Sequence, residues 1–252
     1  MIVNLLRKLS RVIKRNGVIG GLGIVADQAR DQVAALLPPN RAKAREIGER
    51  ERMFDQALGV DTGGFIHPTE LNLTSPNQMH AVAYRATDPE DFRKAIGELS
   101  IDYRRFTFVD FGSGKGRTLL LATEFQFQSI IGVEFSEELH RIAQANISQF
   151  VRTHREEADI KSICMDAANF SLPEAPLVCY FCNPFGAPIM SKVIANIHES
   201  FRSHPRDIFI VYYNAKEGHL FDHAGCFKQI VTNGWARVWQ LTPEMKAVTA
   251  PC

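Results

Sequence analysis

FTFVDFGSGKGR, residues 106–117, is an apolar run that ends in the acid Asp110, breaks into glycines at every other position and opens onto a helical pattern. A strand, a glycine turn and a helix N-terminus in that order form a nucleoside-binding turn. Spacing excludes two related loops. A phosphate loop needs a glycine five residues before its Gly-Lys pair and Ser or Thr after it, whereas Gly114-Lys115 has Val109 upstream and Gly116 downstream. A dinucleotide fingerprint spaces its third small residue more widely than the strict alternation of Gly112, Gly114 and Gly116.

The run Asp110-x-Gly112-x-Gly114-x-Gly116 resembles motif I of the S-adenosylmethionine (SAM) methyltransferases. SAM has a cationic sulfonium, an amino acid end and two ribose hydroxyls but no phosphate. The resemblance implies that Gly112, Ser113, Gly114 and Gly116 lie against the nucleoside, where glycine allows close backbone approach. Asp110, at the strand end, would hold the amino acid end directly or through water. No Lys or Arg clamp is required, so Lys115 and Arg117 are expected to be solvated.

Beyond the turn, helix and strand patterns alternate in the order that builds a parallel sheet covered on both faces. A helix is predicted from Gly116 to about Phe127, followed by the second strand, IIGVEF (130–135). Ser136 caps the next helix, with Leu139, Ile142, Ala143, Ile147 and Phe150 at core spacing. IKSICMDA (160–167), LVCYFCN (177–183) and IFIVYYN (208–214) are the third to fifth strands, and FKQIVTNGWARVWQL turns back on itself at Asn233-Gly234. By resemblance this is an α/β fold: a Rossmann-like, seven-stranded class I methyltransferase sheet of five parallel strands plus a C-terminal antiparallel hairpin. It is expected over residues 80–252, with a helical N-terminal extension or cap over residues 1–79.

Ligands in such sheets bind beyond the carboxyl ends of the strands. Glu134 ends the second strand, where a carboxylate can accept from both ribose hydroxyls. Asp166 ends the third, where an acid can accept from the adenine amino group beside the backbone of Ala167. Asn183-Pro184-Phe185-Gly186 ends the fourth. The Asn183 amide can accept from the N–H of an attacking amine and aim its lone pair at the methyl group beside the cofactor. Pro184 stiffens the turn, and Phe185 offers a ring face to the substrate or the partly cationic methyl. The pattern resembles motif IV of methyltransferases that modify amino nitrogens, with Phe in place of the commoner Tyr.

Taken together, VCYFCNPFG, VDFGSGKG, IGVEFS and AYRAT resemble the lysine methyltransferases of the ATP synthase c-subunit type and, more distantly, the non-SET histone-lysine methyltransferases. The likeness spans about residues 80–215. It implies that Tyr84 and Thr87, an aromatic-x-x-Thr segment, close over the cofactor, and that the acceptor is an amine nitrogen, a protein lysine first. Lysine has a reference pKa of ~10.4 and must lose a proton before attack, which an apolar channel around Phe185 and Tyr213 would promote by desolvation. Tyr84, Glu70 and His80 are the candidate bases. The alternatives are an N-methyltransferase acting on a small metabolite or nucleic acid, and a SAM-binding regulator without catalysis, against which the intact Asn183-Pro184 argues.

The first 58 residues carry eleven Lys and Arg against six acids, in a chain of 252 residues whose net charge is +1. Residues 1–15 form a basic amphipathic helical pattern suited to peripheral contact with an anionic membrane or to packing on the domain. GVIGGLGIVA (17–26) is too short to span a bilayer, and its Gly21-x-Gly23-x-x-Ala26 match has no strand before it. Pro38-Pro39-Asn40 is expected to stop a helix, with a charged helix from about Arg41 to Leu58 and a loop-rich connection over 59–79. Cys179 and Cys182 fall on opposite faces of one strand and the other cysteines are scattered, so no metal is expected, nor does the His219–His223 pair carry the Glu of a zinc helix. Unpatterned cysteines point to a reducing cytoplasm. Trp235 and Trp239 are expected in the core, and no interleaved basic and aromatic run points to nucleic acid.

Overall fold

The computed structural model describes residues 38–71, 77–155 and 157–243. The basic pattern over 1–15, the Gly21-Gly23-Ala26 match and Cys252 lie outside the described residues. In chain order the elements are α1 (Pro38–Leu58), the short strands β1 (Phe65–Ile66) and β2 (Tyr84–Arg85), α2 (Pro89–Gly97), β3 (Thr107–Phe111), α3 (Arg117–Ala122), β4 (Ser129–Glu134), α4 (Glu137–His154), β5 (Ile160–Cys164), β6 (Leu177–Phe181), α5 (Ala187–Ser203), β7 (Ile208–Tyr213), α6 (His219–His223) and the hairpin β8 (Lys228–Thr232) and β9 (Ala236–Leu241).

Seven strands form one sheet in the order β5-β4-β3-β6-β7-β9-β8, while β1 and β2 pair separately. Strands β3 to β7 are parallel, and β9 runs antiparallel to both β7 and β8. This is the α/β, Rossmann-like order of the class I methyltransferase sheet. Strand order reverses between β3 and β6, which opens a crevice at the carboxyl ends of those two strands. Both strands are buried at every position, as central parallel strands covered on two faces must be, Thr107 and Asp110 of β3 included.

Alternation along the strands sorts the core into two layers. On one face, α5 lays Ile189, Met190, Val193, Ile197 and Phe201 over Phe111, Cys179, Phe181 and Ile210. On the other, α2, α3 and α4 bring Phe92, Ile96, Leu119 and Ile147 against Phe108, Val178, Tyr180 and Val211. The Phe111 and Phe181 rings stack at 4.9 Å, which fixes β3 beside β6 just below the crevice. Trp239 is fully buried and Trp235 packs against the second layer.

Local signals explain the helix starts. Asp88 caps α2, its Oδ1 accepting from the Glu90 N–H at 2.9 Å with Pro89 in the first position. Ser136 caps α4 through the Leu139 N–H. Two expectations shift. Pro38 and Pro39 lie inside the start of α1, where a missing N–H costs no helical bond, so the helix begins three residues before Arg41. The helix after the glycine turn ends at Ala122 and tightens into a 3-10 turn over Thr123–Phe125, closed by Gln126 at φ 57°. Among the described residues no helix is long and apolar enough to cross a membrane.

Candidate active site

Gly112, Gly114 and Gly116 all have positive φ, at 83°, 54° and 86°, a region that side chains disfavour. Two of them also sit under other parts of the site. A Cβ on Gly112 would come within 2.4 Å of the Pro184 Cβ, and one on Gly114 within 2.2 Å of the Tyr84 ring. The turn thus seats the end of β6 on one side and the segment 80–87 on the other.

Above the turn lies a cleft of about 960 Å³, open mouth included, between the ends of β3, β4 and β6 and the segment 77–87. Asp110, Gly112, Ser113, Glu134, Asp166, Ala167, Asn183, Pro184 and Phe185 all line it, together with Tyr84 and Thr87. Gly114 and Gly116, also expected against the nucleoside, are not part of this lining: Gly114 lies against the Tyr84 ring and Gly116 against Ala143. Glu134 accepts the Gly114 N–H at 2.9 Å on one oxygen and the Ser136 N–H at 2.8 Å on the other. Each oxygen keeps a lone pair, so two further donors can be taken at one point. Asp110 accepts from the Thr118 hydroxyl. Burial pushes both carboxyls up to about 7, with the Glu134 charge adding to the effect on Asp110 and backbone N–H groups opposing it at Glu134. Asp166 accepts from the Asn77 amide at 2.7 Å and the Ala168 N–H at 3.0 Å.

Asn183 stands at φ 50°, which Asn tolerates better than most residues, and its Oδ1 accepts from the Tyr212 hydroxyl at 3.3 Å. Phe185 is buried edge-on against Phe181, and its backbone pairs with Ala81 through an isolated bridge. The Gly186 N–H donates to the His80 carbonyl at 3.1 Å, so the acceptor end is roofed by residues 80–82. Val82 and Met165 stand exposed on the rim.

Several expectations are corrected. Lys115 and Arg117 are buried rather than solvated, at 7% and 2% exposure. Lys115 Nζ binds Asp61 and the Gly63 carbonyl, each at 2.9 Å, and Arg117 pairs with Asp55 at 3.3 Å and donates to the Thr62 hydroxyl at 2.7 Å. Charged side chains enter a core only when paired, and distant partners supply the pairing here. Tyr213 does not line the cleft: it faces the second layer, and its hydroxyl donates to Asp91 at 2.7 Å. Its neighbour Tyr212, on the opposite face of β7, reaches Asn183 instead. Of the three candidate bases, Tyr84 donates to the Thr62 carbonyl at 2.6 Å, and burial pushes its hydroxyl above the usual tyrosine range, which disqualifies it. Glu70 is exposed and outside the cleft wall, whereas His80 is part of that wall.

Asp55, Thr62, Asn77, Asn146 and Tyr212 are site residues that pattern alone does not reveal. Only Asn146 left a trace, as a polar residue in the buried stripe of α4. Its amide accepts the Asp61 N–H and donates to the carbonyls of Asp61 and Lys115. Cys179 packs in the first layer and Cys182 against the second. Among the described residues no group of three or more His, Cys, Asp and Glu is placed to hold a metal ion.

The donor set suits a phosphate-free nucleoside. Strand-end carboxylates offer acceptors for hydroxyl and amino groups, and the two cations beside the turn are already committed to residues 55–63. No protein-family model matches the chain, and no curated protein does. Solved structures resemble it in fold. A human methyltransferase 10 domain containing protein is 13% identical with a TM-score of 0.45, the alignment covering 78% of this chain and 96% of that one. Magnesium protoporphyrin IX methyltransferase from Synechocystis PCC 6803, solved with bound SAM, is 14% identical with a TM-score of 0.44 over 60% and 77%. Ribosomal protein L11 methylase from Lactobacillus delbrueckii subsp. bulgaricus is 14% identical with a TM-score of 0.41 over 60% and 76%. Likenesses this distant leave the function to be read from the cleft.

Proposed function

We propose that this chain is a SAM-dependent methyltransferase that modifies an amine nitrogen, with a protein lysine as the acceptor. The observation that carries the reading is the meeting, in one cleft, of the Asp110, Glu134 and Asp166 carboxylates with Asn183-Pro184-Phe185 at the adjoining strand end. When bound, SAM supplies an electrophilic methyl on a sulfonium. Glu134 would hold the ribose hydroxyls on its free lone pairs, Asp110 the amino acid end and Asp166 the adenine amino group. Tyr84 and Thr87 would cover the nucleoside.

At the acceptor end the chain contributes position and desolvation. Tyr212 holds the Asn183 amide, which retains a second lone pair on Oδ1 for an amine N–H. Phe185 and Ile189 make this wall apolar, which lowers the pKa of an entering ammonium and favours the neutral nucleophile. His80, whose carbonyl takes the Gly186 N–H, lies in that part of the wall and is the remaining candidate to receive the proton.

Incubating the protein with labelled SAM and a cell lysate tests both levels of the proposal. Label recovered as methyl-lysine after protein hydrolysis is the expected result. Label in RNA or in a small molecule would overturn the acceptor, and failure to bind SAM in calorimetric titration would overturn the cofactor.

A further inference from the structure

The segment 80–87 covers the cleft, yet it makes one short strand pair and one isolated bridge of its own. Its anchorage comes from residues much earlier in the chain. Tyr84 donates its hydroxyl to the Thr62 carbonyl at 2.6 Å while its ring lies over Gly114. The Thr62 hydroxyl donates to Asp55, whose second oxygen takes the N–H groups of Thr62 and Gly63 at 3.0 and 2.8 Å. Arg117, one residue beyond the glycine turn, donates to the Thr62 hydroxyl, pairs with Asp55 and reaches the Thr87 carbonyl at 3.5 Å. Its guanidinium lies 4.9 Å from the Phe54 ring centroid, and its side chain is 1% exposed. Tyr84 and Thr87 are therefore both tied to one polar cluster made by the C-terminal turn of α1, the loop after it and the start of α3.

We propose that Asp55 and Arg117 are positioning residues for the cofactor, holding Thr62 so that the segment 80–87 is latched down on the glycine turn. The inference rests on the SAM assignment above. Asp55 is outside the cleft wall, and Arg117, which forms part of that wall, directs its hydrogen bonds at residues 55–87, so both act through the groups they hold. If the cluster were merely structural, breaking it would lower stability and leave the affinity of the folded protein for SAM unchanged. A latch makes a different demand. Weakening it must loosen residues 81–87 and weaken SAM binding together, and removing two of its parts must do little more than removing one.

The test uses full-length Asp55→Ala, Tyr84→Phe and the double variant, with Arg206→Met as control. Arg206 is buried and bound to the carbonyls of Pro173, Ala175, Ser200 and His204, away from the cleft, so its loss destabilises the fold without touching the latch. Each latch variant should weaken SAM binding in calorimetric titration by about 5- to 30-fold, the equivalent of ~1 to 2 kcal/mol of coupling. The double variant should match the weaker-binding single variant, and the Arg206→Met control should bind SAM like the wild type. Without SAM, amide hydrogen exchange should accelerate at residues 81–87 in the Asp55→Ala variant and stay slow in β6. Multiplicative losses in the double variant, or unchanged exchange at 81–87, would overturn the latch. Should Asp55→Ala fail to fold, the Tyr84→Phe affinity and its exchange at 81–87 make the same decision. A wild type that ignores SAM would sink the cofactor assignment alone, because the exchange measurement needs no SAM.

Discussion

Asp110 and Glu134 are carboxyls enclosed by protein, each with only part of its charge answered. Their folded-state values of about 7 lie above the ordinary 3.8 and 4.5, so between these limits the folded form keeps protons that the unfolded chain has lost. The stability contributed by the pair is therefore full in acid and declines as pH rises through 7. Binding has the opposite preference, since a sulfonium and hydroxyl donors favour the ionised carboxylates. SAM binding should release protons at about pH 6.5 and release almost none at about pH 9, as read from titration heats in buffers of different ionisation enthalpy. Net proton uptake would contradict the placement of SAM beside these two acids. At Asn183 the backbone matters as much as the amide. Its φ of 50° makes Asn183→Gly a cleaner deletion than alanine, because glycine takes that conformation without strain. Methyl transfer should fall by about 100-fold, near 2.7 kcal/mol in barrier, with SAM affinity within a few-fold. Asn183→Asp adds a charge that holds an ammonium protonated, so its activity should recover as pH is raised. Wild-type rates in Asn183→Gly would remove this residue from the chemistry.

The glycine turn is read most directly through Gly114, whose missing Cβ is the space the Tyr84 ring occupies. Gly114→Ala should displace that ring and cost at least tenfold in SAM affinity, about 1.4 kcal/mol, while circular dichroism stays native. Behind the sheet, Phe92 of α2 is fully buried and meets Tyr180 edge-on at 5.2 Å and Phe108 at 5.8 Å. Phe92→Ala should lower stability by about 3 to 5 kcal/mol in urea titration without altering the cleft. The contrast between these elements also explains what the sequence disclosed. Strands β3, β4, β6 and β7 were legible because a buried parallel strand needs a continuous apolar run and a strand-end acid or amide interrupts it. The Ser136 cap was legible because its partner lies three residues away. Asp55, Thr62 and Arg117 were not, since a polar cluster assembled from distant residues has no period. Reading Lys115 and Arg117 as solvated follows the ordinary behaviour of exposed charge, and only the fold supplies the acids that reverse it. Tyr212 and Tyr213 differ by one step along β7, and a strand's two-residue repeat sends them to opposite faces.

A site assembled from the end of α1, the segment 80–87 and four strand ends ties cofactor binding to the stability of the whole chain. At a SAM concentration about 100 times its dissociation constant, the folded state should gain about 2.7 kcal/mol. For a chain of this size that corresponds to a rise of roughly 5 to 11 °C in Tm. Scanning fluorimetry should show the rise, and adenosine lacking the amino acid end should show less of it. A flat response would mean that the cleft does not recognise SAM. The boundary expected near residue 80 crosses this site, because Asp55, Asp61, Thr62 and Gly63 are bonded directly to the turn at 115–117. That separation has a consequence during synthesis. Asp55 precedes Arg117 by 62 residues, so at ~5 to 20 residues per second the acid leaves the ribosome about 3 to 12 s before its cation. Through that interval Asp55 has only its near neighbours, the Thr62 hydroxyl and the N–H groups of Thr62 and Gly63, and water to answer its charge. Glu134, Asp166 and Asn183 emerge later still, so the polar wall of the cleft is completed only after the latch residues have all been made.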